Sequence, residues 1–291
     1  MTFELRTAYW DDPQAKEQFK RFMREIHDLD FTEWEQAGYW DDAYRPFSYF
    51  DAEGVAASVC VYGMELVIAG ERRPVAQISG VGTRPALRRR GLNRELTHRA
   101  MEWADSRHDF YFLFADDDAV PFYRRLGFRP ATESRPVFGV RGAAPTPGLR
   151  KLDPARADDL QVVDRASRER TAVSDALGVL NHRLLMFHAL GPLRDYAHTI
   201  EELGVVVFSK RSGARLTVFD VVGPQVPVWE RLYPYLAARD DEEACLYFAP
   251  DKLRPEVPVR FEEVPDNNLH LWGELPAGLG ERFVFPFTSH A

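Results

Sequence analysis

Six arginines lie close together in one short stretch of the sequence: Arg84, Arg88, Arg89, Arg90, Arg94 and Arg99. The surrounding residues 76–94, AQISGVGTRPALRRRGLNR, read as an apolar strand, a turn that contains Gly91, and an amphipathic helix. Such a turn leaves backbone N–H groups unpaired at the helix start, where the helix dipole favours an anion. Arginines beside it add charge-assisted hydrogen bonds to phosphate oxygens. The stretch therefore predicts a phosphate-binding turn; an ordinary strand-to-helix turn with a solvated basic face is the alternative.

A second segment whose residue types could take part in a reaction is 116–128, DDDAVPFYRRLGF. It follows the apolar run 110–115, which is typical of a buried strand. We expect a short helix there that places Tyr123 at the carboxyl end of this strand. A core aromatic of a short helix is the alternative interpretation.

Taken together, the two segments resemble the GNAT superfamily of acetyl-CoA-dependent N-acyltransferases, most specifically its enhanced-intracellular-survival branch, over about residues 55–135. The family's Arg-x-x-Gly-x-Gly/Ala turn is matched by Arg88, Gly91 and Asn93. Its Asn-x-x-Ala-x-x-Phe-Tyr-x-x-x-Gly-Phe ending is matched by Asp116, Ala119, Phe122, Tyr123, Gly127 and Phe128. This sequence has Asn93 where the family has a small residue and Asp116 where it has asparagine.

The resemblance implies an α/β fold with a mixed sheet, in which a GNAT domain is followed by a degenerate GNAT-like domain. The most suitable linker is 141–148, RGAAPTPG, because two prolines and two glycines fall within eight residues. We therefore predict an acetyl-CoA-binding domain at 1–142 and a second domain at 149–291. Strand and helix patterns alternate in both halves. The last pattern, 282–287, predicts a strand.

The resemblance also implies acetyl-CoA as the co-substrate, bound where two parallel strands, 74–81 and 110–115, separate. The pantetheine arm would pair with the strand backbone, and the pyrophosphate would lie on the Arg-rich turn. The residues implied are Val81, Gly82, Thr83, Arg88, Arg89, Arg90, Gly91, Leu92, Asn93 and Arg94. A backbone N–H near Gly80 or Val81 would polarise the thioester carbonyl. Tyr123 would protonate the departing thiolate.

The acceptor amine must lose a proton before it attacks, so the site needs a base or a water chain. No motif marks this base. Glu65 is one candidate, and Asp116 or Asp117 at the strand end is another. In the enhanced-intracellular-survival branch the chain's own terminal carboxylate can act as the base, which raises the same possibility for Ala291.

The segment 25–50 corresponds to the acceptor side of GNAT folds. It is rich in carboxylates and aromatic rings: Asp28, Asp30, Glu33, Glu35, Asp41, Asp42, Trp34, Tyr39, Trp40, Tyr44 and Phe47. Carboxylates attract ammonium groups and aromatic faces hold cations or flat rings. We therefore expect a small, cationic primary amine as the acceptor. An acidic solvated face over an aromatic core is the alternative.

The second half lacks an Arg-x-x-Gly-x-Gly turn: its corresponding stretch, VVGPQVPVWERL, contains Pro224 and Pro227, which have no N–H to donate. We expect no second acyl-CoA there. This half either closes the acceptor side or mediates assembly into a homo-oligomer.

Composition excludes several classes of function. The 291 residues carry 37 Lys and Arg against 45 Asp and Glu, a net charge of −8, which disfavours general binding of nucleic acid. No apolar run approaches the ~20 residues of a membrane span. With only Cys60 and Cys245 and no secretory leader pattern, we expect a cytoplasmic protein. The histidine spacings match no metal motif, so we expect no metal.

Three functions remain open from the sequence. The leading one is an N-acetyltransferase that moves an acetyl group directly from acetyl-CoA to a small-molecule amine, such as that of an antibiotic or metabolite, in a ternary complex. The second is an acetyltransferase for a protein or peptide amine, which needs an open groove. The third is a CoA-binding sensor without turnover.

Overall fold

Two mixed β-sheets form the framework of the protein, which confirms the α/β prediction. The computed structural model describes residues 2–254, 259–265, 268–274 and 279–291. Within these residues the strands are β1 (Glu4–Thr7), β2 (Tyr44–Asp51), β3 (Gly54–Ile68), β4 (Glu71–Thr83), β5 (Phe110–Phe114), β6 (Arg129–Pro130), β7 (Ser134–Gly139), β8 (Leu149–Lys151), β9 (Leu177–Val179), β10 (Ala197–Ile200), β11 (Val205–Ser212), β12 (Arg215–Val222), β13 (Glu243–Leu246), β14 (Arg260–Glu263) and β15 (Leu269–Trp272). The α-helices are α1 (Pro13–His27), α2 (Thr32–Gln36), α3 (Leu92–Asp105), α4 (Val120–Arg125), α5 (Ala157–Arg168), α6 (His182–Leu190) and α7 (Trp229–Leu236).

The first sheet has the order β1-β2-β3-β4-β5-β15-β6, with β9 paired to the far end of β3. Only β4 and β5 run parallel; the other neighbours are antiparallel. Both faces are covered by apolar side chains. One core includes residues of α1 and α6, and the other includes residues of α3 and α4. The long strand β3 is therefore buried on both faces, as its nearly continuous apolar sequence indicates.

The second sheet repeats this order as β8-β10-β11-β12-β13-β7-β14. Its single parallel pair is β12 and β13, in the same place as β4 and β5 in the first sheet. The repeated order explains why the two halves of the sequence have a similar succession of elements without a recognisable sequence repeat.

Each sheet takes its next-to-last strand from the other half of the chain. The strand β7 lies before the linker, but it pairs with β13 and β14 in the second sheet. Conversely, β15 pairs with β5 and β6 in the first sheet, and β9 joins β3 there. A strand pairs with whichever sheet edge lies beside it in the folded protein, and local composition does not predict which edge that is. The division into 1–142 and 149–291 therefore does not coincide with the division into sheets, and as a boundary between domains it stays a prediction.

The helix α1 ends at His27, inside the segment 25–50. Asp12 caps its start by accepting hydrogen bonds from the N–H groups of Gln14 and Ala15. At its end Asp28 adopts the left-handed conformation, with a φ of 55°, and its N–H donates to the Arg24 carbonyl. His27 is consequently the last helical residue, and the chain turns directly after it.

The prediction of a strand at 282–287 is wrong. The segment is irregular up to Pro286 and then forms a short 3₁₀ turn at Phe287–Ser289. Phe283, Val284 and Phe285 are consecutive buried apolar residues, and this apolar run gave the strand-like pattern. Among the described residues, no helix has both the length and the apolar character needed to cross a bilayer.

The exchange of strands can be tested by cutting the exposed segment between the halves. A protease site inserted between residues 143 and 146 should be cleaved, because these residues are exposed. We expect the two fragments to elute together from a size-exclusion column at the volume of the uncut protein, since each sheet contains strands from both fragments. In urea they should separate. Elution as two smaller species without denaturant would contradict the exchanged pairing.

Candidate active site

The site begins where β4 and β5 separate. Their parallel ladder pairs only Val75, Ala76 and Gln77 with residues of β5, although β4 continues to Thr83. Beyond Gln77 the backbone of β4 that faces β5 therefore has no strand partner. Unpaired backbone groups at such an edge are ready to bind an extended ligand arm.

A β-bulge reshapes β4 directly after this point. Ser79 pairs with Cys60 and Gly82 pairs with Ser58, so two residues, Gly80 and Val81, oppose the single β3 residue between them. Gly80 has a φ of 54°, and a Cβ there would lie 2.9 Å from the Tyr44 hydroxyl. The bulge takes Gly80 and Val81 out of the ladder, so their backbone groups can face a bound ligand.

The Arg-rich turn connects β4 to α3 and holds the backbone in a strained conformation. Arg89 has a φ of 65°, which is uncommon for a residue with a side chain, and Gly91 has a φ of 80°. No side chain caps the start of α3, so its first N–H groups point outward without a partner from a capping residue. This arrangement matches the requirements of a phosphate-binding helix start.

Asn93, the departure from the family turn, has a structural role that leaves the turn open. Its side-chain oxygen accepts a hydrogen bond of 2.8 Å from the Thr83 hydroxyl, which ties the start of α3 to the end of β4. Its carbonyl accepts a 2.7 Å hydrogen bond from Thr97. The amide therefore points to the strand instead of filling the space in front of the turn.

One cavity of about 1030 Å³, here called the outer cavity, lies in front of this turn. It brings together all of the residues that the sequence analysis predicted to bind CoA, Val81, Gly82, Thr83, Arg88, Arg89, Arg90, Gly91, Leu92, Asn93 and Arg94. It is also lined by Ile26 and His27 of α1 and by Phe122 and Arg125 of α4. The binding of CoA by these residues stays a prediction, which their common placement supports.

A second cavity of about 400 Å³, here called the inner cavity, adjoins the first. His27, Val81, Asp116 and Ala119 line both cavities, so the two meet beside the bulge of β4. The inner cavity is walled mainly by rings: Phe31, Trp34, Tyr44, Tyr62, Phe114, Tyr123, Phe187 and Phe287.

Tyr123 is buried on α4 and lines the inner cavity. Burial, together with the negative charge of Asp116, raises the pKa of the Tyr123 hydroxyl well above its ordinary value. The hydroxyl therefore keeps its proton at neutral pH. Asp116 itself is exposed at the junction of the cavities.

The other predicted carboxylate bases lie elsewhere. Glu65 lines neither cavity; its carboxylate pairs with Arg72 at 3.0 Å. Asp117 accepts a 2.5 Å hydrogen bond from the Asn268 side chain and also lines neither cavity. Among the candidates named from the residues, only Asp116 reaches the junction.

The second half of the chain supplies one side of the inner cavity. Phe187 and His188 come from α6, and Phe287, His290 and Ala291 come from the segment 287–291. The Ala291 backbone pairs reciprocally with the Gln77 side chain: Gln77 Nε2 donates to the Ala291 carbonyl at 2.8 Å, and the Ala291 N–H donates to Gln77 Oε1 at 2.7 Å. The segment is thereby fixed beside the point where β4 and β5 separate.

A buried ion pair in the second half of the chain fixes the segment 287–291. Arg170 donates to both carboxylate oxygens of Asp220 at 3.0 and 3.1 Å, and Asp220 also accepts a 2.5 Å hydrogen bond from Thr288. The side chains of Arg170 and Asp220 are 1% and 0% exposed. A charge buried this deeply requires its partners, so the pair fixes the position of Thr288.

Three histidines line the inner cavity, and none was identified from the sequence. Burial lowers the pKa of His188 to about 4 and that of His290 to about 3, so both rings are neutral at physiological pH. Burial also lowers the pKa of His27, which the charge of Asp116 partly offsets. Within the described part of the chain, Nε2 of His27 has no hydrogen-bond partner.

Four of the six acidic residues expected on the acceptor side are paired with basic residues, and none of the six lines the inner cavity. Asp30 pairs with Arg24, and the other ion pairs are Glu33 with Arg194, Glu35 with Lys16 and Lys20, and Asp41 with Arg183. Of the residues named there, Trp34 and Tyr44 line the inner cavity, whereas the carboxylates do not. The wall is therefore aromatic and not acidic. Among the residues that the structure describes, no cluster of three or more His, Cys, Asp or Glu could hold a metal.

Comparison with known proteins places this site in a family. Residues 11–131 match the family model described as an acetyltransferase (GNAT) domain. The chain is similar in fold to a protein of Enterococcus faecalis V583 described as a probable N-acyltransferase, with 13% identity, a TM-score of 0.60 and coverage of 93% of this chain and 72% of the other. A GCN5-related N-acetyltransferase from Kribbella flavida is 18% identical, with a TM-score of 0.54 and coverage of 93% of this chain and 71% of the other. Eis1 from Mycobacterium abscessus is 20% identical, with a TM-score of 0.51 and coverage of 92% of this chain and 73% of the other. No curated protein matches the sequence.

These findings confirm the superfamily that the two motifs indicated. Residues 11–131 are a GNAT acetyltransferase domain, and the similarity of fold to N-acyltransferases extends over both halves of the chain.

The bulge at Gly80 gives a test of the site's architecture. Gly80→Ala should lower the free energy of unfolding by about 1–3 kcal/mol, because it forces a side-chain residue into the left-handed region and brings Cβ against Tyr44. Gly70→Ala is the matched control: its φ is 80°, but nothing lies within 4 Å of the added Cβ. Urea unfolding should show the larger loss at Gly80. Equal losses would mean that close packing at the bulge does not matter.

Proposed function

We propose that this acyltransferase, whose residues 11–131 form a GNAT acetyltransferase domain, transfers the acetyl group of acetyl-CoA directly to the primary amine of a small molecule in a ternary complex. The observation that carries the proposal is the junction of two cavities at the bulge of β4. The outer cavity has the predicted phosphate-binding turn, and the inner cavity is a separate, largely aromatic space. A donor and an acceptor can therefore meet at Val81.

GNAT domains use acetyl-CoA as their co-substrate, and the outer cavity fits its parts. The pyrophosphate would accept hydrogen bonds from the free N–H groups at the start of α3 and from the arginines of the turn. The pantetheine arm would pair with the unpartnered edge of β4 from Val81 to Thr83. Phe122 and Arg125, which face the same cavity, suit an aromatic base and a further phosphate.

Two groups at the junction suit the chemistry of acyl transfer. The backbone N–H of Val81, released from the ladder by the bulge, would stabilise the negative charge that develops on the thioester oxygen. Tyr123 keeps its proton at neutral pH and would donate it as the thiolate leaves.

His27 is our proposed base for the acceptor amine. It lines both cavities, its Nε2 lacks a partner among the described residues, and its lowered pKa leaves it unprotonated at neutral pH. It would accept the proton as the amine attacks. The role of base implied for Ala291 by the resemblance stays a prediction; its carbonyl oxygen accepts a hydrogen bond from Gln77.

The dimensions of the inner cavity favour a small molecule over a protein. A protein or peptide acceptor needs an open groove along the sheet edge. Here α6 and the segment 287–291 cover that side, and the remaining space is about 400 Å³. We accordingly assign the second half to closing the acceptor side. A role of this half in forming a homo-oligomer stays a prediction.

Tyr123→Phe separates an enzyme from a CoA-binding sensor. We expect acetyl-CoA to raise the melting temperature of wild type and variant equally, because the outer cavity is unchanged. Thiol release with a primary amine should fall about 10²–10⁴-fold, the usual contribution of a positioned proton donor. Tyr111→Phe is the matched control, a buried tyrosine bonded to Asp105 outside both cavities. Unchanged turnover in Tyr123→Phe would contradict the assignment, and absence of any thermal shift in wild type would contradict acetyl-CoA binding.

The pH profile tests His27. Its lowered pKa predicts that kcat/KM falls as the pH drops through an inflection below 6.5, since the protonated ring cannot accept a proton. His27→Gln should be slower and should lack this inflection. Asp116→Asn removes the charge that stabilises the imidazolium, so the inflection should move to lower pH. The assignment is wrong if His27→Gln retains the wild-type profile.

A further inference from the structure

We infer that the acceptor is a monoamine carried on a flat aromatic body, an arylalkylamine and not a polycation or an aminosugar; this inference rests on the proposed function. It follows from three properties of the inner cavity: the free faces of its rings, the shortage of charged side chains on its walls, and a number of unpartnered polar atoms that is small compared with the polar groups of an aminosugar.

The rings of the inner cavity are arranged in two groups. On one side Phe31, Trp34 and Phe187 contact one another edge to face, with centroids 5.5 to 5.9 Å apart. On the other side His290 lies 4.0 Å from Phe114 and 5.4 Å from Phe287. Aromatic rings favour such edge-to-face and offset contacts with each other and with an aromatic ligand.

Three of these rings keep free surface. Phe114, Phe187 and Phe287 are only partly buried, while most of the neighbouring core is fully buried. They come from β5, from α6 and from the segment 287–291. Because all three line the inner cavity, three elements present aromatic surface to one small space. An apolar ring placed there would bury the surface that the protein leaves uncovered.

The walls carry little charge. Asp116 is the one carboxylate side chain among the lining residues described, and it stands at the junction with the outer cavity. Burial keeps His188 and His290 neutral. A single ammonium can approach Asp116 and then lose its proton for the reaction. Deeper in the cavity no described lining residue has a carboxylate side chain, so a terminal carboxylate at Ala291 would offset at most one further ammonium, and a polycation would bury another without a countercharge.

Part of the polar surface of the wall is engaged by the protein itself. The Gln77 amide is occupied by Ala291 on both its oxygen and its nitrogen, and Nε2 of His188 bonds to the His290 carbonyl. Four buried polar atoms of this wall have no partner in the described part of the chain: Nε2 of His27, Oγ of Ser79, Nδ1 of His188 and Nε2 of His290. An aminosugar of several rings carries more hydroxyl and amino groups than these four atoms can bond, so the remaining groups would lack hydrogen bonds.

The residues that line both cavities indicate how the acceptor lies, with its amine at one end and its aromatic body at the other. The amine must lie near Val81 and Asp116, because only the junction reaches the outer cavity. Phe187 and Phe287 line the inner cavity alone, so the aromatic body would extend toward them. The volume of about 400 Å³ is near the small end of the ~300–1,000 Å³ usual for ligand pockets, which suits a compact ring system.

The test uses the full chain with acceptors matched for length. With saturating acetyl-CoA, 2-phenylethylamine and tryptamine should give kcat/KM about tenfold above 2-cyclohexylethylamine and still further above spermidine and kanamycin. In parallel, each amine is added to the protein with CoA, and the rise in melting temperature reports binding without turnover. The aromatic amines should give the larger rise.

A substitution of one cavity ring tests whether the rings cause the preference for aromatic amines. Phe187→Leu should bring the ratio of kcat/KM for 2-phenylethylamine over 2-cyclohexylethylamine close to one and leave the KM for acetyl-CoA unchanged. Phe3→Leu, which alters a partly buried ring outside both cavities, should keep the wild-type ratio. A ratio is independent of the fraction of folded protein, so partial unfolding of a variant does not affect it.

The outcomes distinguish this inference from the proposed function. Preferred turnover of spermidine or kanamycin would overturn the aromatic acceptor and keep the acetyltransferase. Stronger thermal stabilisation by aromatic amines without thiol release from any amine would support the aromatic site and overturn the transferase. Equal thermal shifts with aromatic and cyclohexyl amines would overturn the aromatic acceptor regardless of turnover.

Discussion

The separation of β4 from β5 after Gln77 is the constraint on which the rest of the site depends. Two adjacent parallel strands would normally continue their ladder, and stopping it leaves backbone groups that need other partners. The bulge at Gly80 turns β4 away, and the Gln77 side chain bonds to Ala291 where the strands part. The opening is thus built into the sheet, and an extended ligand arm can occupy the place of the missing hydrogen bonds without a rearrangement of the strands.

The second half of the chain completes the site through packing and not through a second phosphate-binding turn. It provides α6 and the segment 287–291, whose side chains wall the inner cavity. That segment has little regular structure, so its position depends on the buried ion pair of Arg170 and Asp220 and on the bond to Thr288. Removing one member of such a pair costs about 3–5 kcal/mol, because the other charge stays buried alone. The buried ion pair of Arg170 and Asp220 in the second half of the chain therefore determines the shape of the inner cavity beside the first sheet.

The parts of the site that could be predicted from sequence are those formed by neighbours in the chain. The Arg-rich turn and the helix carrying Tyr123 each lie within one short segment. The glycines, the arginines and the spacing of apolar residues in such a segment predict its local turn and helix. His27 could not be found this way, since nothing local marks a lone histidine at a helix end. The acidic residues near it were assigned to the cavity because their partners, such as Arg183 and Arg194, are far away in the sequence. The exchanged strands were missed for the same reason.

The exchange of β7 and β15 also determines when the protein can fold during synthesis. The first sheet has a gap beside β5 until residues 269–272 leave the ribosome, long after β5 itself has emerged. Until then the edge of β5, with the sequence FYFLF, has no partner on that side. Such an apolar, uncharged edge is prone to pair with other chains. The edge of β5 is therefore an aggregation hazard in the nascent chain for longer than it would be if each sheet closed on strands of its own half.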